Sequence, residues 1–208
     1  MQFALLTEAS LAEAAAQLAG RDEHFARILK THGNPPLWKR PAAFTTLVRI
    51  ILEQQVSLKS ADAVFRRLRA SITPFTPETV LSAGEDRLRK VGLTRQKTAY
   101  ILHLSSAIVE GDLNLRKLAR MSDVDVKTAL MQIKGLGAWS ADVYLLMAMC
   151  RADVWPSGDL ALAVAVKELN GLTHRPTFLE LEEIAEKWRP HRAVAARMLW
   201  QYYLARRA

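Results

Sequence analysis

Apolar residues recur along most of the chain at the spacing of an amphipathic helix, whereas signals for β-strands do not recur. The predicted helix after Pro41 carries on one face Phe44, Leu47, Val48, Ile51 and Leu52. The predicted C-terminal helix carries on one stripe Val194, Met198, Leu199 and Tyr202. We therefore predict an all-α chain of roughly ten to twelve helices. Expected core positions are Val64, Leu104, Leu130 and Met147.

Residues that commonly start helices lie between the predicted helices. Candidate capping boxes, in which a Ser or Thr pairs with a Glu three residues later, are Ser10 with Glu13 and Thr177 with Glu180. Candidate N-caps are Asp22 and Ser57, and candidate first helical residues are Pro41 and Pro190. A turn at 92–94 precedes a helix that we predict from about Arg95 to Val109. We find no internal repeat and no low-complexity tail.

The stretch from Ser122 to Leu162 organises the rest of the chain. A polar-capped helix leads into the turn Gly135-Leu136-Gly137, and an apolar helix leads out of it. The glycines permit a tight turn and a close backbone approach, Leu136 would fill the space between the helices, and the amides of the second helix could bind a phosphate. Asp159 stands at the start of the next apolar helix. A bare Gly-x-Gly turn also fits an ordinary connection between helices.

The composition favours a folded protein with a polyanionic partner. Of the 208 residues 50% are hydrophobic, and the formal net charge is +8, with a sequence pI of about 9.9. The basic residues cluster at 66–69, 87–97 and 189–207, so the charge belongs to a folded surface rather than to a tail. The alternative is a basic protein without such a partner.

Several classes of protein are disfavoured. The single cysteine, Cys150, excludes an internal disulfide and a four-cysteine iron–sulfur cluster, and we expect it in the core. The histidines show no metal-ligand spacing. The longest apolar run, Val143–Cys150, is too short to span a membrane, and the N-terminus lacks the pattern of a secretory signal.

Five segments resemble, in order and spacing, the bacterial 3-methyladenine DNA glycosylase II (AlkA-like) family of helix-hairpin-helix DNA glycosylases. The matching segments are Ile51-Leu52-Glu53-Gln54-Gln55-Val56-Ser57, Gly92-Leu93-Thr94-Arg95-Gln96-Lys97, 135–142, Pro156-Ser157-Gly158-Asp159 and 188–200. They cover the chain from about Pro41 to Tyr203. The enterobacterial form of the family carries an extra N-terminal β domain, and we expect this chain to be the compact form without it.

The resemblance implies a domain organisation. It predicts two helical subdomains with a helix-hairpin-helix motif and a substrate cleft between them. Residues 51–150 would form the central helical domain that carries the motif. Residues 1–50 would pair with residues 151–208 as the other domain. The hairpin would lie at the mouth of the cleft, and Asp159 would face it.

The resemblance also implies an active site. Asp159 is the candidate catalytic carboxylate, a role compatible with capping the helix that follows it. Trp139 and Trp200 occupy positions of pocket aromatics, where a ring face attracts a cationic base. Val143 replaces a second pocket ring of the enterobacterial form, with Tyr144 beside it. From the residues alone, core packing is the favoured interpretation of a tryptophan on a helix.

The DNA contacts follow from the same resemblance. Gln55 stands where the family places the side chain that enters the duplex, although from the residues alone it also fits an exposed loop. Residues expected to contact DNA at the hairpin are Gly135, Leu136, Gly137 and Ala138. No cofactor is expected to be required. Similar hairpins hold a structural monovalent or divalent cation, and its candidate ligands here are the backbone carbonyls of Met131, Ile133 and Leu136.

The implied function is that of a monofunctional DNA glycosylase that removes 3-methyladenine and related alkylated bases in base excision repair. Bifunctional relatives carry a lysine at the position of Trp139, and an indole cannot form a Schiff base with the sugar. The expected partner is double-stranded DNA that contains alkylated bases. The protein is expected to be a monomer in the cytoplasm of a bacterium, associated with the nucleoid. Two alternatives stay open: a glycosylase of another specificity, and a non-catalytic DNA-binding module.

Overall fold

In a computed structural model, which describes residues 5–207, the chain forms twelve α-helices and, within that range, no β-strand beyond an isolated antiparallel bridge between Leu5 and Arg151. The helices are α1 (Glu8–Ala19), α2 (Glu23–His32), α3 (Phe44–Glu53), α4 (Leu58–Ser71), α5 (Pro77–Lys90), α6 (Arg95–Val109), α7 (Leu115–Leu118), α8 (Asp123–Met131), α9 (Ala138–Met147), α10 (Leu160–Leu169), α11 (Phe178–Glu186) and α12 (Arg192–Ala205). The all-α prediction is confirmed.

The chain divides into two compact units. The central unit runs from Arg40 to Tyr144, and the terminal unit combines the residues up to Lys39 with those from Leu145 onward. The predicted domain boundaries were placed after residues 50 and 150, whereas the compact units change at 39/40 and 144/145. In the central unit α3 packs against α4 and α6, and α5 packs against α6. In the terminal unit α12 packs against α1, α2 and α10, so the start of α10 and the C-terminal helix belong to one core.

Three of the predicted helix starts are confirmed. The side chains of Asp22, Ser57 and Thr177 each accept a backbone N–H at the start of the helix that follows, and Thr177 forms the predicted box with Glu180. Helix α6 has the predicted bounds, Arg95–Val109.

Three predicted helix starts are wrong. The box at α1 is formed by Thr7 and Ser10, because Thr7 already caps a helix that begins at Glu8. Pro41 precedes α3 in a turn, where its carbonyl accepts bonds from the backbone N–H of Ala43 and from the hydroxyl of Thr46, so α3 begins only at Phe44. The chain also turns after Pro190, since α12 begins at Arg192.

The predicted core is confirmed in part. Leu104, Leu130 and Cys150 are buried, but Val64 and Met147 are only half-buried. Val64 lies beside the inward line of α4, which carries Ala61, Phe65 and Leu68. Among residues 5–207, no helix combines the length and the apolar character that a membrane crossing requires.

Candidate functional site

Asp159 occupies the N-cap of α10 in the terminal unit. Its own N–H donates to the carbonyl of Pro156 at 3.2 Å, which closes the turn before the helix. Its Oδ1 accepts the backbone N–H of Leu162 at 2.9 Å. The residue is only 8% exposed, and it borders an open depression of about 1020 Å³ beside the segment 174–178. The carboxylate is therefore held in one orientation and sheltered from bulk water.

Trp200 contacts the same carboxylate oxygen. Helix α12 packs against α10, and the indole Nε1–H of Trp200 donates to Oδ1 of Asp159 at 3.2 Å. The structure thus brings together the candidate catalytic carboxylate and one candidate pocket aromatic, which are 41 positions apart in sequence. An indole on this oxygen places an apolar ring within reach of any group that approaches the carboxylate.

A second ring, Trp38, was not predicted from the sequence. It is half-buried, its φ is 48°, and its ring centroid lies 6.4 Å from that of Trp200 at an interplanar angle of 60°. Side chains of α12 fix the segment that carries it, since Gln201 donates to the carbonyl of His32 at 3.0 Å and Arg197 donates to that of Leu37. The only sequence signal was the Gly-Asn-Pro-Pro break at 33–36, which predicts a loop but not its destination.

Arg197 is a fully buried cation in this unit. Its guanidinium donates to the carbonyls of Leu37, Ala193 and Leu146 at 3.0, 3.0 and 2.7 Å. Burial lowers its pKa to about 10, so it stays charged at neutral pH. One turn before Trp200 on α12, it holds the Trp38 segment against the helix that carries the other ring.

The two hairpin glycines, in the central unit, serve different purposes. Gly135 has a φ of 98°, and a Cβ built on it would lie 2.2 Å from Cγ of Tyr100. A Cβ on Gly137 would meet nothing within 4 Å, and Gly137 is exposed. Leu136 between them is 3% exposed, as expected for the residue that fills the space between the helices. Gly135 is therefore required by the packing of the turn, whereas Gly137 leaves backbone open at the surface.

Gln55, the candidate wedge, is exposed in the turn between α3 and α4 and has a φ of 57°. The neighbouring Val56 is 44% exposed. A polar and an apolar side chain therefore project together from this turn. The entry of Gln55 into a duplex stays a prediction.

The remaining candidate pocket residues lie on α9. Trp139 is half-buried near the start of the helix, whereas Val143 and Tyr144 are 1% and 0% exposed. Burial raises the pKa of the Tyr144 hydroxyl to about 12. In this conformation Val143 and Tyr144 pack in the interior, so contact of either with a substrate stays a prediction.

Two further carboxylates, Asp142 and Asp153, both form ion pairs. Asp142 is 1% exposed, and its carboxylate lies 2.8 Å from Nζ of Lys127, because α9 turns this position toward α8. Asp153 accepts bonds from Arg189 and Arg192, in keeping with its position in a turn.

The candidate cation ligands are backbone carbonyls around the hairpin. Met131, Ile133 and Leu136 border a depression of about 400 Å³. The carbonyl of Ile133 accepts the N–H of Leu136 at 3.0 Å, and that of Gly135, which is not a candidate ligand, accepts a bond from Gln54. Among the residues described, no group of His, Cys, Asp or Glu side chains could hold a metal. A cation on the carbonyls stays a prediction.

Comparison with known proteins adds to this geometry. A sequence model of the family described as HhH-GPD superfamily base excision DNA repair protein matches residues 48–191. DNA-3-methyladenine glycosylase 1 of Schizosaccharomyces pombe is 28% identical over 199 residues, which cover 92% of this chain and 87% of that protein. The structure of the S. pombe 3-methyladenine DNA glycosylase in complex with abasic DNA has a TM-score of 0.83 at 27% identity, with 91% of this chain and 95% of that chain covered. The DNA-3-methyladenine glycosidase of Bacillus halodurans has a TM-score of 0.76 at 26% identity, with 98% and 93% covered.

Proposed function

Because this chain belongs to the HhH-GPD superfamily of base excision DNA repair proteins, we propose that it is a DNA glycosylase that hydrolyses the N-glycosidic bond of alkylated bases, 3-methyladenine first. Relatives named for this activity match most of the chain, which supports the proposal. The observation that carries it is the Asp159 carboxylate, sheltered and fixed on one oxygen by the α10 backbone and the Trp200 indole.

The reaction requires a negative charge beside the deoxyribose. The bond between C1′ and the base nitrogen breaks, its electron pair leaves with the base, and positive charge develops on the sugar. The Asp159 carboxylate stabilises that charge electrostatically. Water then adds to C1′ and loses a proton, which the same carboxylate can accept.

No second carboxylate is needed as an acid. An alkylated base of the 3-methyladenine kind is cationic while attached to the sugar, so it leaves as a neutral molecule. The ion pairs of Asp142 with Lys127 and of Asp153 with Arg192 agree with this, because they give both carboxylates structural partners. Asp159 therefore acts as the single catalytic carboxylate.

The Trp200 and Trp38 rings favour a cationic base. Their centroids are 6.4 Å apart, and the Trp200 indole N–H is directed at the carboxylate. A ring face attracts a cation by about 0.5–2 kcal/mol, more when water is excluded. This selects the positive charge that many alkylated bases share rather than a single shape.

The DNA grip belongs to the hairpin and to the turn that carries Gln55. The exposed backbone at Gly137 precedes α9, and amides at a helix N-terminus bind phosphate well. The net charge of +8 adds an electrostatic attraction to DNA that does not depend on the base sequence and that weakens as the salt concentration rises. The damaged base must leave the stack, and Gln55 would fill the gap.

The test is a base-release assay on methylated duplex DNA, with unmodified duplex as the control. Release of 3-methyladenine from methylated DNA alone is the expected result. Release only from mismatched or oxidised duplex would point to another specificity, and binding without release would point to a non-catalytic module.

A second assay distinguishes hydrolysis from lyase chemistry. With Trp139 in place of the lysine of bifunctional relatives, water is the expected nucleophile and the product is an unbroken abasic site. Borohydride trapping on damaged duplex should give no covalent adduct. An adduct that disappears in Lys134→Ala would show that the exposed Lys134 attacks the sugar instead.

The working form and place of the protein are part of the proposal. We expect a monomer on chromosomal DNA, in the cytoplasm with the nucleoid of a bacterium. Sedimentation of the protein with and without a damaged duplex tests the first expectation, and microscopy of a fluorescent fusion tests the second.

A further inference from the structure

The turn that carries Gln55 is fixed from two sides within the central unit. Helix α3 ends at Glu53, and its last carbonyls need partners because no further turn of helix follows. The Nζ of Lys97 donates to the carbonyl of Leu52 at 2.7 Å and to that of Gln54 at 2.9 Å. Lys97 comes from the first turn of α6, so one ammonium joins two elements that are more than forty positions apart.

The side chain of Gln54 reaches in the other direction, to the hairpin. Its Nε2 donates to the carbonyl of Gly135 at 2.8 Å and to the hydroxyl of Ser140 at 3.0 Å. Gly135 lies in the turn, and Ser140 lies in the first turn of α9. Both amide hydrogens of Gln54 are therefore used, one on the hairpin turn and one on the helix that follows it.

Gln55 itself is held in an unfavourable backbone conformation. A φ of 57° costs a residue other than glycine about 1 kcal/mol or more, and it persists only where the neighbours fix the chain. Those neighbours are the Gln54 side chain and the carbonyls bound by Lys97. The ammonium of Lys97 is partly buried where it makes these bonds, and this loss of hydration lowers its pKa.

From these contacts we propose that Gln54 and Lys97 are positioning residues that keep the Gln55 wedge in register with the hairpin, so that extrusion of the base depends on them. The inference rests on the proposed function, because a wedge matters only to a protein that takes a base out of the stack. Neither residue is assigned to the chemical step. Their loss should reduce the yield of extruded base and leave hydrolysis of an already extruded base nearly intact.

Two substitutions remove the donors with little change of shape. Gln54→Glu keeps the size of the side chain but cannot donate to Gly135 or Ser140, and Gln132→Glu is its control, since exposed Gln132 borders the same depression and gains the same charge. Lys97→Met removes the ammonium, and Lys117→Met, at an exposed position outside the three basic clusters, is the control for the lost charge. Lys97→Arg retains donors and should restore part of the effect.

The first readout is extrusion, which does not require catalysis. The probe is a duplex with 2-aminopurine next to an abasic-site analogue, whose fluorescence rises when the stack opens. We expect Gln54→Glu and Lys97→Met to lower the rise several-fold at saturating protein, and their controls to match the wild type. Equal amplitudes in all variants would overturn the inference. Thermal melts identify a variant that fails to fold, in which case Lys97→Arg against wild type carries the comparison.

The second readout is base release from two duplexes, one with 3-methyladenine paired and one with it in a bulge. A misplaced wedge should slow release from the paired duplex by roughly tenfold to a hundredfold, and from the bulge by less than about threefold, since a bulged base is already partly unstacked. Equal loss on both duplexes would assign the residues to chemistry and overturn the inference. If the wild type opens the stack but releases no base, the proposed function fails and the fluorescence result still decides the role of the two residues.

Discussion

Two helix starts in the terminal unit have a similar construction. Asp22 caps α2 and accepts the indole N–H of Trp188 at 3.4 Å, and Asp159 caps α10 and accepts the indole N–H of Trp200 at 3.2 Å. In both, a carboxylate satisfies the first free N–H groups of a helix, and a tryptophan from far along the chain fixes it. A cap and an indole therefore do not by themselves identify a catalytic carboxylate.

The surroundings separate the two sites. Trp188 packs into an aromatic cluster, with its ring centroid 5.2 Å from that of Phe25 and 5.4 Å from that of Trp155. Asp22, which accepts its indole N–H, is half-buried. Asp159 is more sheltered than Asp22 yet borders a large open depression, and its tryptophan has the half-buried Trp38 as neighbour. Charges interact more strongly where water is excluded. The buried carboxylate of Asp159 therefore stabilises a developing cation more than the half-buried carboxylate of Asp22 would.

The strongest test replaces each carboxylate by the isosteric amide. Asp159→Asn keeps an acceptor for the α10 cap but removes the negative charge, so base release from methylated duplex should fall by about a thousandfold. Melting temperature and DNA affinity should change little, because Asn caps helices nearly as well as Asp.

Asp22→Asn is the matched control, because it makes the same change at the other capped and indole-bound carboxylate. It should retain wild-type turnover. If both variants kept full activity, or if both lost it together with their stability, the distinction between the two sites would be refuted.

A second pair of variants, at the hairpin, separates binding from chemistry. Gly135→Ala forces a Cβ into Tyr100 at a φ of 98° and should destabilise the protein by roughly 2–4 kcal/mol, measured by urea unfolding. Gly137→Ala has open space, so stability should stay within about 0.5 kcal/mol. Its DNA affinity should fall, because the methyl group would lie between the backbone and the phosphate that we expect there.

For both glycine variants, titrations of duplex at two salt concentrations report the affinity, which should fall as salt rises for the wild type. Tyr100→Ala should restore part of the stability of Gly135→Ala. Wild-type DNA affinity in Gly137→Ala would show that the backbone at this position does not contact DNA.

Local signals in the sequence predicted the helix content, the α6 bounds, the cap at Asp159 and the buried Leu136, because each depends on residues within a few positions. Trp38 could not be predicted, since its place depends on the bond from Arg197 to Leu37, which joins positions 160 apart.

The bonds of Gln54 and Lys97 were missed for the same reason. The family resemblance indicated Gln55 but not the contacts that fix its backbone. In this chain the candidate chemical groups lie in recognisable motifs, whereas the residues that position them are joined only by the tertiary fold.

A smaller effect is expected when each indole loses its N–H. Trp200→Phe keeps an aromatic ring but not the bond to Asp159, which leaves the carboxylate less well fixed. A hydrogen bond to a charged group is worth about 1.5–3 kcal/mol, so turnover should fall by roughly tenfold to a hundredfold. Trp188→Phe removes the equivalent bond to Asp22 and should lower the melting temperature without changing turnover per folded molecule. Equal turnover in the two variants would contradict a catalytic use of the Trp200 indole.

The smallest effect concerns a buried polar group that, unlike Asp22 and Asp159, has no hydrogen-bond partner among the described residues: the Tyr144 hydroxyl. Its pKa is raised to about 12 by burial, from an ordinary value of 10.0, so folding favours the neutral form. The stability that this shift contributes is fully present below pH 10 and is lost as the pH rises through the pKa of the folded protein.

Tyr144→Phe cannot ionise, so its unfolding free energy should decline less than that of the wild type between pH 10 and 11. At neutral pH the variant should be as stable as the wild type or up to about 1 kcal/mol more stable, because an unsatisfied hydroxyl is removed. Urea unfolding at pH 7, 10 and 11 measures both effects, with the half-buried Tyr203→Phe as the control. If KM for methylated duplex rises in Tyr144→Phe while stability does not change, the hydroxyl contacts the substrate, and burial has concealed a functional group on α9.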